Sequence, residues 1–371
     1  MLGVVIVLAA LIFFVGGVIF LDTQGAARQY KLVVCYGVSL MELETVELTA
    51  EEMKLIEVYR LAEVVTLNVK ANTLQTYQSV FNNRIVPSLG DIKVQQITPA
   101  ILDKWVRGLQ KEGLSYSSLA LTHSLVHNAL DYAVHPSRLI TSNSVDYVRV
   151  PKNLPRNIIK RQIISLKKFK SLLEKYPFGT AFHIPLLLLY YIGMRLSEVL
   201  GLSWSDIDFS AKQIKLRRQL IYLNRRGYYF TALKNESSKR DILISDYLLK
   251  TLRRLREQQL ANEKRFGDNY VYVYDAGDGH VVLQAKRFPT RAGRVPLICV
   301  QANGRLVYNS VLIRELAREG VNAHSFRHTH ATQLIESGAQ AKGVAARLGH
   351  SNVLITQNLY THNTSKNACY F

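Results

Sequence analysis

The sequence predicts a mainly α-helical protein of two domains, the second of which also contains a small antiparallel β-sheet. Three observations predict this fold class. Apolar residues recur at helical spacing over residues 52–134. Three short runs rich in β-branched and aromatic residues follow within residues 212–245, which is typical of strands joined by turns. A length of 371 residues exceeds that of one average domain.

The first 21 residues are apolar and carry no charge, which sets them apart from the rest of the chain. They are long enough to span a bilayer, and the basic residues that follow would keep the remainder in the cytoplasm. A second interpretation is a misassigned gene start, with translation beginning near Met41 or Met53. Residues 1–46 are therefore interpreted as a hydrophobic segment and linker, which acts as a membrane anchor only under the first interpretation.

Residues 47–150 are predicted to form a helical domain. The sequence TAEE at residues 49–52 is a capping-box pattern that predicts the start of a first helix. Three further apolar stripes predict helices, of which the first ends at Pro87 and Gly90, the second at Gly113 and the third at Pro136, because proline and glycine interrupt helices.

Basic residues outnumber acidic residues by 47 to 28, which gives the chain a formal net charge of +19. An excess of this size implies a polyanionic partner, and DNA, RNA or an anionic membrane surface would each satisfy it. Three scattered cysteines, Cys35, Cys299 and Cys369, indicate a reducing compartment and no disulfide framework.

A basic segment with two prolines, residues 151–164, is predicted to link the helical domain to a second domain of residues 165–371. Its basic residues permit two interpretations. The segment is either an ordinary solvated connector or a strap that binds the DNA backbone without reading its sequence. In the second interpretation the backbone-binding residues are Lys152, Arg156, Lys160 and Arg161.

An arginine interrupts the apolar run between Leu186 and Leu200 in the second domain. Arg195 needs an anionic partner there, because an unpaired buried guanidinium is very costly. Glu198 at i+3 is one partner available within the protein, and a phosphate held by both ends of the guanidinium is the alternative. Downstream, Lys234 stands in the turn between the second and third predicted strands.

The C-terminal segment places polar side chains in a fixed order along one helix and beyond the next. His324 and Arg327 are spaced i and i+3, so both side chains emerge on one helix face. Gly349 fits the left-handed residue that ends the following helix, which puts His350 at the start of a turn. Tyr360 follows ten positions later. This set predicts a site for an anion, such as a DNA phosphate, and for a nucleophile.

Together these residues resemble the active site of the tyrosine recombinase, or phage integrase, family. Arg195 stands in GMRLSEVLGLSWSDID, HxxR occupies residues 324–327, and the last two members lie in LGHS and LYTH. All six active-site positions of that family are matched in order, and the resemblance covers about residues 60–365. The catalytic residues that it implies are Arg195, Lys234, His324, Arg327, His350 and Tyr360.

The resemblance also implies a domain organisation and a reaction. The first domain would be a helical core-binding domain that contacts DNA, and the second a mixed α/β catalytic domain. The two arginines would clamp the scissile phosphate, the tyrosine would form a 3′-phosphotyrosyl link, and the lysine would protonate the departing 5′-oxygen. The histidines would assist by hydrogen bonding or proton transfer. Since the covalent intermediate retains the phosphodiester energy, the family needs no cofactor and no metal ion.

The expected partners are double-stranded DNA recombination sites, two of which a homotetramer would hold, and accessory DNA-bending or excision factors. The expected role is integration or excision of a phage or conjugative element. A chromosome-dimer-resolving recombinase and a non-catalytic DNA-binding regulator derived from an integrase are the alternatives. The expected location is the cytoplasm, with membrane contact only if residues 1–21 are a real anchor.

Overall fold

The computed structural model describes residues 19–22, 29–35, 43–49, 53–55, 58, 71–152, 162–288 and 293–354. The chain divides into two compact units, residues 1–159 and 160–371, each with its own hydrophobic core.

The N-terminal region contains a small antiparallel sheet that the sequence does not predict. The middle strand of the chain order is also the middle strand of the sheet, and it pairs with the strand before it and with the strand after it. These three strands occupy part of residues 1–46, which are interpreted from the sequence as a hydrophobic segment and linker, and that domain assignment stays a prediction. Residues 1–18, which carry most of the apolar run, lie outside the described residues. The strands are β1 Ile19–Asp22, β2 Gln29–Cys35 and β3 Leu43–Thr49.

The capping box at residues 49–52 does not open a helix. Thr49 is the last residue of β3, where it pairs with Gln29, and Lys54 forms an isolated bridge with Lys93. Helical structure is present at Leu55, after this bridge. The prediction is wrong because strand pairing, which joins residues distant in sequence, overrides a local capping pattern.

The other helices of the first unit lie where the apolar stripes predict them. Pro87 does not end the first of these, because it lies in the first turn of the helix Val86–Leu89, where proline is tolerated, and Gly90 follows that helix. Thr98 caps the helix predicted to end at Gly113 by accepting a hydrogen bond from Ile101 N, and Gly113 follows that helix with φ +79°. The buried side chains of these helices form one core that includes Phe81 and Trp105. The elements are α1 Ala71–Val80, a π-helical turn Phe81–Ile85, α2 Val86–Leu89, α3 Pro99–Lys111 and α4 Tyr116–Val134.

The second unit is built around α6, whose leucines are fully buried. No helix among the described residues is both long and apolar enough to cross a membrane. The helices of this unit are α5 Leu166–Lys175, α6 His183–Ile192, α7 Leu196–Leu200, α8 Asp246–Phe266, α9 Asn309–Arg318, α10 Ala323–Glu336 and α11 Ala341–Leu348.

The strands of the second unit form three small antiparallel sheets rather than one. The first predicted strand is in fact two strands that separate at Arg217, because β5 pairs with β4 and β8 whereas β6 pairs with β7. A further sheet, with the order β10-β9-β11, was not predicted. The strands are β4 Ile207–Asp208, β5 Gln213–Leu216, β6 Arg218–Leu223, β7 Gly227–Ala232, β8 Arg240–Leu243, β9 Val271–Asp275, β10 Val281–Ala285 and β11 Gly293–Arg294.

Candidate active site

Arg195 lies at the start of a short helix, directly after the buried helix α6. Gly193 ends α6 in a left-handed conformation with φ +69°, and Arg195 is the N-cap of α7. Its backbone N–H donates to Glu198 Oε2 at 3.0 Å, and its Nη1 donates to Glu198 Oε1 at 2.7 Å. Glu198 is therefore an internal partner of Arg195. Since 20% of the arginine side chain remains exposed, its guanidinium can still contact a phosphate.

Arg327, on α10, is held more deeply. The residue is only 3% exposed. It donates through Nη1 to Gly193 O at 2.9 Å and through Nη2 to Leu348 O. Burial, followed by the charge of Arg195, lowers the pKa of Arg327 to about 9. The guanidinium therefore stays protonated at neutral pH and supplies a fixed positive charge.

The C-terminus of α11 orients three arginines. The last carbonyls of a helix have no partner within the helix and carry its partial negative charge. In this helix three successive carbonyl oxygens accept hydrogen bonds from three different guanidinium groups. Arg240 Nε donates to Arg347 O at 2.7 Å, Arg327 Nη2 to Leu348 O, and Arg195 Nη2 to Gly349 O at 3.1 Å.

Sequence reasoning does not identify Arg240, although this residue completes the ion pairs of Glu198. Arg240 donates through Nη2 to Glu198 Oε2 at 2.9 Å and through Nη1 to Glu198 Oε1 at 3.3 Å. Burial alone would raise the pKa of the Glu198 carboxyl, but the hydrogen bonds and charges of Arg240 and Arg195 outweigh it and lower the pKa. Burial alternates along β8 and puts Arg240 in the buried row, but the residues RDIL themselves do not alternate between polar and apolar, so the sequence carries no local signal for this role.

The two predicted active-site histidines both have a lowered pKa, which favours the neutral imidazole at pH 7. Desolvation, followed by the charges of the two site arginines, Arg195 and Arg327, and then of Lys234, lowers the pKa of His324 although part of its surface is exposed. Desolvation and the same two arginines lower the pKa of His350 to about 4. A neutral imidazole can accept a proton or a hydrogen bond, which a protonated one cannot. The charge of a bound phosphate would oppose both shifts.

Backbone geometry near the other site residues agrees with the sequence analysis. Lys234 lies in the exposed loop between β7 and β8. Gly349 ends α11 with φ +68° and ψ 47°, which confirms the predicted left-handed residue. Directly after it, the backbone N–H of His350 donates to Ala345 O at 3.0 Å.

Arg195 and Arg327 thus lie close enough to both predicted histidines to lower their pKa, and Lys234 lies close enough to His324 to do the same. Tyr360 lies outside the described residues, so its place relative to these five stays a prediction. Of the predicted strap residues, Lys152 is described and exposed, whereas Arg156, Lys160 and Arg161 lie outside the described residues.

Two other histidines of α10, His328 and His330, contact neighbouring protein side chains. His330 is buried, and its Nε2 accepts from Arg347 Nε at 3.3 Å. A side chain at Gly193 would place its Cβ 2.7 Å from the His330 ring, so glycine is required there by space as well as by φ. His328 packs edge-on against His324 at a centroid distance of 6.0 Å. Neither residue was predicted to be catalytic.

This arrangement concentrates positive charge around neutral imidazoles. Two guanidinium groups with fixed geometry suit an anion with more than one oxygen, and a phosphodiester is such an anion. Donors that are fixed before the reaction stabilise developing charge without reorganisation. The site can therefore support phosphoryl transfer to a nucleophile supplied nearby.

Comparison with known proteins gives concordant results. Residues 165–367 match the phage integrase family, and residues 54–110 match the phage integrase N-terminal SAM-like domain. A tyrosine recombinase XerC-like protein of Caldanaerobacter subterraneus subsp. tengcongensis is 29% identical over 320 residues, or 81% of this chain and 77% of the relative. The ICEBs1 integrase of Bacillus subtilis is 26% identical over 310 residues, or 80% of this chain and 75% of the relative.

A solved structure shares the fold. It is the Tn1549 transposon integrase in complex with transposon right end DNA, which superposes with a TM-score of 0.65 at 21% identity and covers 85% of this chain and 97% of that one. The family match alone, residues 165–367, spans more than half of the 371 residues. The chain therefore belongs to the phage integrase family and is a tyrosine site-specific recombinase.

Proposed function

We propose that this recombinase cuts and rejoins double-stranded DNA through a 3′-phosphotyrosyl intermediate, in the integration or excision of a phage or other mobile element. The observation that carries the proposal is the pair of site arginines. Arg195 and Arg327 are fixed by neighbouring carbonyls of α11, at Gly349 and Leu348, so their charges converge on one region. The similarity to the ICEBs1 integrase and to the Tn1549 integrase supports the mobile-element role.

In the proposed first step Tyr360 attacks the scissile phosphorus. The phenol oxygen forms a bond to phosphorus, the bond between phosphorus and the 5′-oxygen breaks, and the 3′ end becomes linked to the tyrosine. A phenol has an ordinary pKa of about 10. It must therefore lose its proton, and the neutral imidazole of His324 is the acceptor that the site provides. Lys234 gives a proton to the departing 5′-oxygen.

Charge stabilisation in this step comes from the arginines and from His350. The site arginines neutralise the non-bridging oxygens as charge develops, and His350 donates a hydrogen bond to one of them. In the second step a 5′-hydroxyl of the other strand attacks phosphorus and gives its proton to Lys234, while the bond between phosphorus and the tyrosine oxygen breaks and the tyrosine recovers its proton from His324. No energy source is consumed, because one phosphodiester replaces another.

The wider assembly is part of the proposal. We expect a homotetramer that holds two DNA sites, with the basic linker of residues 151–164 against the DNA backbone. Accessory DNA-bending or excision factors would choose between integration and excision. The N-terminal unit would contact the same DNA as the C-terminal unit, and the match to the SAM-like domain supports this.

A covalent-trapping experiment tests the nucleophile. The DNA that flanks the gene is sequenced to identify attachment repeats, and suicide substrates made from these repeats are incubated with the parent protein, with Tyr360→Phe and with the control Tyr370→Phe. We expect a phosphotyrosyl adduct with the parent and with Tyr370→Phe, and none with Tyr360→Phe, which should still bind the DNA. An adduct formed by Tyr360→Phe would refute the assignment.

The same experiment distinguishes the alternative functions. A parent protein that binds the sites but forms no adduct would be a non-catalytic regulator. Recombination at a chromosomal resolution site, rather than at the flanking repeats, would identify a resolvase of chromosome dimers.

A further inference from the structure

Arg240 is buried beside the site but is none of the six residues that the family resemblance supplies. Its side chain is 6% exposed, and it differs from the equally buried Arg327 in having four bonds to protein groups where Arg327 has two among the described contacts. Four hydrogen bonds occupy most of its five N–H donors. A guanidinium saturated in this way acts on other protein groups and not on the substrate.

The bonds of Arg240 lead to Arg195 through a shared carboxylate. Glu198 is 1% exposed and accepts from Arg240 Nη2 at 2.9 Å and from Arg195 Nη1 at 2.7 Å. With Arg240 in place, the carboxylate is held from one side and Arg195 is held against the other. Without Arg240, the carboxylate would keep its bonds to the backbone and side chain of Arg195 but would no longer be tied to β8.

A second set of bonds leads to the loop that carries Lys234. Arg240 Nη1 donates to Ser238 O at 2.8 Å, and Arg195 Nη1 donates to Ser238 Oγ at 3.3 Å. Ser238 is fully buried and ends the short 3-10 turn Glu236–Ser238, which follows Lys234. Arg240 therefore fixes the base of the lysine loop.

A third bond leads to the end of α11. Arg240 Nε donates to Arg347 O at 2.7 Å, three residues before His350. Gly349 packs against the same guanidinium, since a Cβ built on this glycine would lie 3.0 Å from Arg240 Nη1. The close contact leaves the helix end little room to shift relative to β8.

We propose that Arg240 is a positioning residue for phosphoryl transfer, which sets the relative places of Arg195, the Lys234 loop and the helix end before His350. This inference rests on the proposed function. A displacement of about 1 Å at a reacting centre can cost about 100-fold in rate, so a residue that never touches the substrate can limit catalysis.

The test compares cleavage rates on two substrates in single turnover. One substrate has an ordinary scissile phosphodiester, and the other has a methylphosphonate diester at that position. The methylphosphonate carries no charge, so its cleavage depends less on charge neutralisation by the arginines. Arg240→Gln should cleave the ordinary site about 100-fold more slowly than the parent. The deficit relative to the parent should shrink on the methylphosphonate, and DNA affinity should be unchanged.

The matched control is Arg217→Gln. Arg217 also pairs with a carboxylate, Asp241 at 2.6 Å, and lies close in sequence, but its side chain is 47% exposed and has no bond to Glu198 among the described contacts. Its replacement removes the same charge and should leave both rates at the parent level.

Two further variants separate positioning from folding. Arg240→Gln leaves Glu198 with Arg195 as its one charged partner among the described contacts, so the double variant with Glu198→Gln removes both buried charges. Arg240→Lys keeps the charge but cannot make every bond. We expect at least one folded variant, judged by its thermal unfolding, with the substrate-dependent loss. Equal losses on both substrates, parent-like rates in a folded variant, or failure of all three to fold would overturn the proposal. Failure of the parent to form any adduct would instead count against the proposed function.

Discussion

Replacement of Gly349 by alanine tests the geometry of the α11 terminus directly. The residue has φ +68°, and an added Cβ would lie 3.0 Å from Arg240 Nη1, Ser237 O and Ser238 Cα. A side chain in the left-handed conformation costs roughly 1–2 kcal/mol. Overpacking against atoms that include backbone costs roughly 1–3 kcal/mol more. We therefore expect Gly349→Ala to lower the free energy of unfolding by about 2–5 kcal/mol.

Two other glycines nearby supply the controls. Gly338 has φ +91° with open space around its Cβ position, so Gly338→Ala measures the conformational cost alone. Gly343 lies within α11, also with open space and without a positive φ, so Gly343→Ala should stabilise the helix by up to about 1 kcal/mol. The order of stability should be Gly343→Ala, parent, Gly338→Ala and Gly349→Ala.

Thermal unfolding and suicide-substrate cleavage are measured on all four proteins. Each kcal/mol should move the midpoint by roughly 2–4 °C in a domain of this size. Gly349→Ala should also cleave slowly, since the methyl group displaces the carbonyl that Arg195 uses, whereas Gly338→Ala should cleave at the parent rate. If Gly349→Ala is no less stable than Gly338→Ala, the close packing of the helix end against Arg240 is refuted.

Three further predictions concern the acid, a buried histidine and the linker. Lys234→Ala should slow cleavage of an ordinary site by roughly 10²–10⁴-fold. The cleavage rate should recover on a substrate with a 5′-bridging sulfur, because that sulfur leaves without a proton. Equal defects on both substrates would show that Lys234 is not the general acid. Burial, followed by the charge of Arg347, lowers the pKa of His330 to about 4. Below pH ~6.5 the unfolded state therefore binds more protons than the folded state. The free energy of unfolding should fall by up to about 3 kcal/mol as the pH drops toward 4. His330→Gln should reduce this pH dependence in thermal unfolding and leave the part that His350 contributes, and an unchanged slope would contradict the assignment. Replacing Lys152, Arg156, Lys160 and Arg161 by glutamine should reduce the salt dependence of DNA binding by about 0.9 in slope per lost phosphate contact, whereas a solvated connector would leave the slope unchanged.

Local signals in the sequence were sufficient where an element is determined by its own residues. The helix Pro99–Lys111 was predicted because Thr98 caps it, proline suits its first turn and its apolar residues fall on one face. The left-handed conformation of Gly349 was predicted because few other residues adopt it at a helix end.

Elements that depend on distant pairing were not predictable in the same way. The strand expected near residues 212–223 divides at Arg217 because its two halves have different partners. Thr49 belongs to a strand and not to a helix cap because Gln29 pairs with it. In both cases the decisive contact comes from a residue that no local window contains.

The sequence by itself determined the family and the identity of the predicted catalytic residues, because six residue types in a fixed order carry that information without coordinates. Only the tertiary structure decided what holds them. The carbonyls of Arg347, Leu348 and Gly349 orient three arginines, and Glu198 joins two of them. The role of Arg240 could not be inferred from its neighbours in sequence, because two of its partners, Glu198 and Arg347, lie 42 and 107 residues away. A buried charge is determined by what surrounds it in space, and that environment exists only once the chain has folded.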